Sequence, residues 1–108
     1  MNVEYKIVWT QSARDDLLEI AKYIARDSID IALKKIAQIE EKIGSLRYFP
    51  FEGKSIPELE EYDDEKYKQI IINPWRIIYT IGTNNIEILM VIDGRRNLQD
   101  ILFKKLMK

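Results

Sequence analysis

Alternation opens this chain. Val3, Tyr5, Ile7 and Trp9 interleave with Glu4, Lys6 and Thr10, the period-two pattern of a half-buried strand. From residue 13 the period lengthens. Ala13, Leu17, Ile20 and Ile24 recur at spacings of four, three and four, which places them on one face of a helix. Ser12 with Asp15 three residues later has the form of a capping box and predicts the helix start there, with its end near Asp27. Ser28 then caps a second helix. Its apolar positions Ile29, Ala32, Ile36, Ile39, Ile43 and Leu46 repeat at three-four-three-four-three. Two complementary seams with almost no linker predict an antiparallel helical hairpin laid over one face of a sheet. The same heptad spacing also suits an intermolecular coiled coil.

Pro50, Gly53 and Pro57 interrupt regularity, and the acidic stretch that runs to Glu65 reads as loop. Three strands follow, at roughly Lys66–Ile72, Trp75–Ile81 and Ile86–Ile92. Gly82-Thr83-Asn84-Asn85 is a good hairpin connection. Asn73-Pro74 is not, because proline does not fit a primed two-residue turn; either the loop borrows a strand residue or the peptide is cis. Asn97, with Asp100 three residues on, opens a short helix that carries Leu98, Ile101, Leu102 and Leu106. Lys104, Lys105 and Lys108 lie near its C-terminus, where cations complement the helix dipole. The order β-α-α-β-β-β-α predicts an α+β fold in a single domain over residues 1–108. It comprises an N-terminal strand, an antiparallel helical hairpin, a three-stranded antiparallel meander and a short C-terminal helix.

Composition narrows the chemistry more than the fold. The chain holds no Cys and no His, which removes disulfides, thiolate metal sites and the commonest general base near neutral pH. Neither a metal nor another cofactor is expected. No apolar run approaches the ~20 residues of a membrane span, and Met1-Asn2-Val3-Glu4 lacks the apolar core of a signal peptide. A cytoplasmic protein without membrane contact is expected. Net charge is −1, yet its distribution is uneven. Residues 1–51 balance eight basic against eight acidic side chains, residues 52–65 sum to −6, and residues 66–108 sum to +5. A basic surface of this kind can attract nucleic acid or an acidic peptide. Mutual neutralisation of the acidic loop and the basic sheet accounts for the same pattern.

One residue needs explaining before any other. Trp75, Ile77, Tyr79 and Ile81 form an apolar strand face, and Arg76 falls on the opposite face with Ile78 and Thr80. A guanidinium at the centre of a strand must reach water, a carboxylate or a ligand anion. An acid of the 58–65 loop is one candidate partner. Another is a phosphate, bound by Arg76 together with Lys68 across an antiparallel pair and with Arg95 and Arg96 at the end of the last strand. Cleavage of RNA by attack of the neighbouring 2′-hydroxyl needs no enzyme nucleophile, and cations can stabilise the phosphorane charge.

In these residues the chain resembles the RelE/ParE superfamily of toxins from type II toxin–antitoxin systems. The likeness begins with Trp9-Thr10, Ala13, Asp16-Leu17, Ile20 and Tyr23-Ile24-Ala25, and continues through Pro50, Gly53 and Pro57-Glu58-Leu59. It is densest at Tyr67-Lys68-Gln69-Ile70, Pro74-Trp75-Arg76-Ile77-Ile78-Tyr79 and Ile92-Asp93-Gly94-Arg95-Arg96-Asn97-Leu98, and then at Asp100. RelE-like members cleave mRNA on the ribosome with basic residues and a tyrosine. The matching catalytic positions here would be Arg76, Arg96 and Lys68. The tyrosine position, six residues after Arg96, holds Leu102, and a second lysine of the RelE pattern is missing. ParE-like members instead inhibit DNA gyrase by protein–protein binding. The long hairpin and Asp93-Gly94-Arg95-Arg96 are closer to that branch, which implies Arg76, Asp93, Arg95 and Arg96 as target contacts; the alternatives are RelE-like mRNA cleavage or an inactive remnant that only binds antitoxin. The resemblance also implies a cognate antitoxin in a hetero-oligomer, with Leu98, Leu102 and Leu106 as its docking residues. Core packing is the alternative role for those leucines.

Overall fold

The computed structural model describes residues 4–62 and 66–106, without the side chains of Glu61, Tyr62, Leu98, Leu102, Lys105 and Leu106. Val3 and the acidic residues 63–65 therefore lie outside it. Strand β1 (Lys6–Trp9) leads directly into α1 (Gln11–Ala25), α2 (Ile29–Gly44) and a 3-10 turn at Ser45–Arg47. A two-residue strand β2 (Lys54–Ser55) and a second 3-10 turn (Pro57–Tyr62) precede β3 (Tyr67–Ile72), β4 (Trp75–Ile81), β5 (Asn85–Asp93) and α3 (Leu98–Leu106). Among the described residues, the strands form one sheet in the order β1-β5-β4-β3-β2. The first strand thus lies beside the last, in parallel, while β2 with β3, β3 with β4 and β4 with β5 pair antiparallel.

The expected fold is present, with corrections at its joints. The first helix is capped by Thr10, two residues before the expected Ser12. The Thr10 hydroxyl accepts the Ala13 N–H at 3.1 Å and donates to the Ile88 carbonyl at 2.9 Å. One side chain thereby closes the helix and fastens it to the sheet. The helix ends at Ala25, near Asp27 as expected, and Ser28 caps α2 as expected, accepting from the Ile31 N–H. The stretch before β3 is not all loop, because it contributes both β2 and the 3-10 turn. The Asn73-Pro74 peptide is cis, and its two residues join Ile72 directly to its cross-strand partner Trp75. A bulge between Ile78 and Tyr79 aligns Ile78 with Met90 but Tyr79 with Ile88, leaving Leu89 as the extra residue of β5.

The sheet buries both faces. Against the hairpin lie Ile70, Ile77, Tyr79, Ile86 and Ile88, packed with Ala13, Ile39, Ile43 and Leu46. Asp16 ties α1 to this face by accepting the Val91 N–H at 3.0 Å. The other face holds a smaller cluster of Ile78, Met90 and Ile92 with Ile56 and Leu59, against which Ile101 of α3 also packs. The α2 seam is not uniformly inward: Ile39 and Ile43 are fully buried, whereas Ile29 is 68% exposed.

Candidate functional site

Arg76 projects onto the smaller, second face and is fully engaged there. Its two terminal nitrogens donate to the Glu58 carboxylate at 2.8 and 3.0 Å, and its Nε donates to Gln69 Oε1 at 2.7 Å. Gln69 is itself buried, and its amide nitrogen donates to the Ser55 carbonyl at 3.4 Å. The fork-to-fork geometry is the strong, specific form of this ion pair. The Arg76 side chain keeps only 13% of its exposure, so a missing partner here would leave a buried charge. Hydrogen bonds from Arg76 hold the Glu58 carboxyl below the usual range, outweighing the opposing effect of its partial burial. The acid of the 58–65 loop that Arg76 could meet is therefore Glu58.

The same geometry corrects the proposed neighbour. Lys68 pairs across the strands with Tyr79, and Arg76 pairs with Ile71. Partners across an antiparallel pair share a face, so Lys68 lies on the hairpin side of the sheet with Ile70 and Tyr79. Lys68 and Arg76 do not meet. Tyr79 is buried beneath that face; its hydroxyl donates to the Pro50 carbonyl at 2.9 Å and accepts the Gly53 N–H at 3.0 Å. Burial pushes its phenol above the usual value. A Cβ at Gly53 would stand 2.2 Å from the Tyr79 oxygen, which is why this position has no side chain.

The corner that follows β5 carries the remaining candidates. The Gly94 N–H donates to the Pro74 carbonyl at 2.7 Å, and the Arg96 N–H donates to the Asp93 carbonyl at 3.1 Å. A Cβ on Gly94 would lie 3.1 Å from Cδ of Arg76, so the corner rests on the aliphatic stem of that arginine. Asp93 accepts hydrogen bonds from both the backbone and the side chain of Arg95, which bring its carboxyl down to about 2. Arg95 and Arg96 are nevertheless exposed, and they edge a groove of about 820 Å³ with Tyr23, Lys35, Trp75 and Lys104. Ile20, Ile24 and Val91 add to its apolar lining. Asp93, Arg95 and Arg96 thus stand together, while Arg76 supports them from below.

The 92 residues from 7 to 98 match the family model described as ParE toxin of type II toxin-antitoxin system, parDE. The chain belongs to the ParE toxin family. Toxin ParE3 of Caulobacter vibrioides is 24% identical over 101 residues, covering 93% of this chain and 97% of that protein. Among solved structures, the chromosomal ParDE system of P. aeruginosa matches with a TM-score of 0.66 at 20% identity, over 83% of this chain and 96% of that one. The RelBE2 toxin–antitoxin complex of Mycobacterium tuberculosis matches with a TM-score of 0.61 at 22% identity, over 84% and 99%. Both likenesses show the fold.

Within this ParE-family fold, Gln69 and the groove residues Tyr23, Trp75, Lys35 and Lys104 have no site role in the sequence reading. Strand parity groups Gln69 with Tyr67 and Ile71, but only the register, with Ile71 opposite Arg76, sets them on the Arg76 side. The groove left no signal, since its walls come from elements far apart in sequence. Leu98, Leu102 and Leu106 belong to α3, but their side chains lie outside the described residues. No described helix is long and apolar enough to cross a membrane.

Proposed function

We propose that this ParE-family chain arrests bacterial growth by binding DNA gyrase through the Asp93–Arg96 corner and its adjoining groove. A cognate antitoxin neutralises it in a hetero-oligomer. The observation that carries this reading is the state of Arg76. A nuclease built on Arg76, Lys68 and Arg96 needs its cations to converge on one phosphate. Here Arg76 is held by Glu58 and Gln69, and Lys68 stands on the opposite face of the sheet. The exposed guanidinium of Arg95, beside Arg96 and a groove lined by Trp75 and Tyr23, instead has the make-up of a protein-docking surface, where arginine and aromatic side chains concentrate binding energy. The antitoxin follows from family membership and from the paired systems among the structural matches; α3, with Leu98, Leu102 and Leu106, is its proposed docking element.

Pulse labelling within minutes of induction in a bacterial host tests the target. Thymidine incorporation should fall first. An earlier fall in methionine incorporation would instead make ribosome-dependent mRNA cleavage the activity.

A further inference from the structure

The helical hairpin has a second apolar face that the sheet does not cover. In α2 the inward stripe is Ala32, Ile39 and Ile43, all buried. A second stripe runs along Ile29, Leu33, Ile36 and Glu40, at spacings of four, three and four, so these residues share the outer side of the helix. Ile29 is 68% and Leu33 66% exposed. On α1 the facing residues are Arg14, Leu18 and Ala21, with Leu18 54% exposed. Between the helices lies a groove of about 410 Å³, lined by Leu17, Leu18, Ala21, Ile36, Arg14 and Glu40. It shares no lining residue with the groove at the Asp93–Arg96 corner.

We propose that this outer face is a two-fold interface between two copies of this chain, formed by stacking one hairpin on the other into a four-helix layer. The occupant follows from charge. Arg14 and Glu40 border the groove from opposite helices, and neither side chain has an ion-pair or hydrogen-bond partner among the described residues. A surface that carries one unpaired cation and one unpaired anion across an apolar strip is self-complementary. Under a two-fold axis, Arg14 of each copy meets Glu40 of the other. Area agrees with this reading. Sixteen residues of α2 extend ~24 Å, and two helices side by side present ~20 Å of width, giving ~500 Å² per copy in projection. The pair then buries ~1,000 Å², at the threshold for a specific but concentration-dependent association. The heptad spacing of α2 thus serves both the hairpin and a contact between chains.

Sedimentation velocity on the full chain across a hundredfold concentration range tests this. The wild type should shift from monomer to dimer. Leu33→Asp should remain monomeric with an unchanged far-ultraviolet circular dichroism spectrum, because Leu33 is exposed. Arg14→Glu alone should weaken the dimer at least tenfold, and Arg14→Glu with Glu40→Arg should restore it. A wild type that stays monomeric throughout overturns the proposal, as does a dimer indifferent to Leu33→Asp and to the charge exchange. So does a monomeric chain whose Leu33→Asp variant loses antitoxin binding, since the face would then belong to that partner.

Discussion

The two faces of the sheet are built on different physics. The face under the hairpin is a broad hydrocarbon core in which Ile39, Ile77, Tyr79, Ile86 and Ile88 lose all contact with water. The opposite face has a small apolar cluster, and beside it an ion pair fastens the 3-10 turn to the strands through Glu58, Arg76 and Gln69. The first face holds the fold together through nondirectional burial. The second depends on one directed contact, and that contact supports the corner bearing Asp93, Arg95 and Arg96. A hydrocarbon core tolerates many residues of similar volume. A buried guanidinium tolerates loss of its partner poorly.

Mutations should separate the two faces by size of effect. Ile39→Ala opens a cavity under the hairpin and should lower unfolding stability by about 2–5 kcal/mol in a urea titration. Glu58→Ala strands Arg76 with one partner and should cost about 1–3 kcal/mol in the same assay. Replacing both members, Glu58→Leu with Arg76→Met, should recover most of that loss, because the penalty lies in the unpaired charge and not in the pair's absence. If the double variant is as unstable as Glu58→Ala, the loss comes from the absence of the pair and not from the stranded charge.

Acid sharpens the contrast. Arg76 holds the Glu58 carboxyl below its ordinary value, so the folded state favours its ionised form. Its contribution is fully present above the unfolded value of ~4.3 and is lost as pH falls through the lower folded value. Asp93, brought down to about 2, contributes with the same sign and over a window that reaches lower. Stability measured from pH 6 down to pH 2 should therefore fall less steeply in Glu58→Gln than in the wild type. Parallel curves would remove Glu58 from the acid response. The smallest structural effect belongs to the corner: Arg95→Ala, which removes the exposed side-chain partner of Asp93, should lower the unfolding midpoint only slightly and Arg96→Ala should leave it unchanged, while both relieve growth arrest on induction.

How much of this was legible in the sequence divides along the same line. Periodicity located both helices, the three long strands and α3, because burial against a broad face imposes a repeat that needs no knowledge of partners. The Thr10 cap was missed because its second bond goes to the Ile88 carbonyl, a contact that local spacing cannot reveal. The 3-10 turn was read as loop because half of its six residues are acids and it opens on Pro57, although Leu59 anchors it in the second cluster. The Lys68 misplacement has a single cause. Parity within β3 and within β4 was assigned correctly, but which faces coincide depends on the register, and Ile72 opposite Trp75 sets Lys68 opposite Tyr79. An acid as partner of Arg76 was anticipated from the cost of an unpaired guanidinium, whereas Gln69 required the register as well.

The central claim is that the exposed corner, and not a catalytic cluster, carries the activity. Purified DNA gyrase with relaxed plasmid, incubated with the refolded wild type and with Arg95→Ala and Arg96→Ala, tests this directly. The account predicts that the wild type blocks supercoiling, that both variants restore it while remaining folded, and that ribosome-bound mRNA stays intact. Unimpaired supercoiling together with cleavage of mRNA on the ribosome would contradict it.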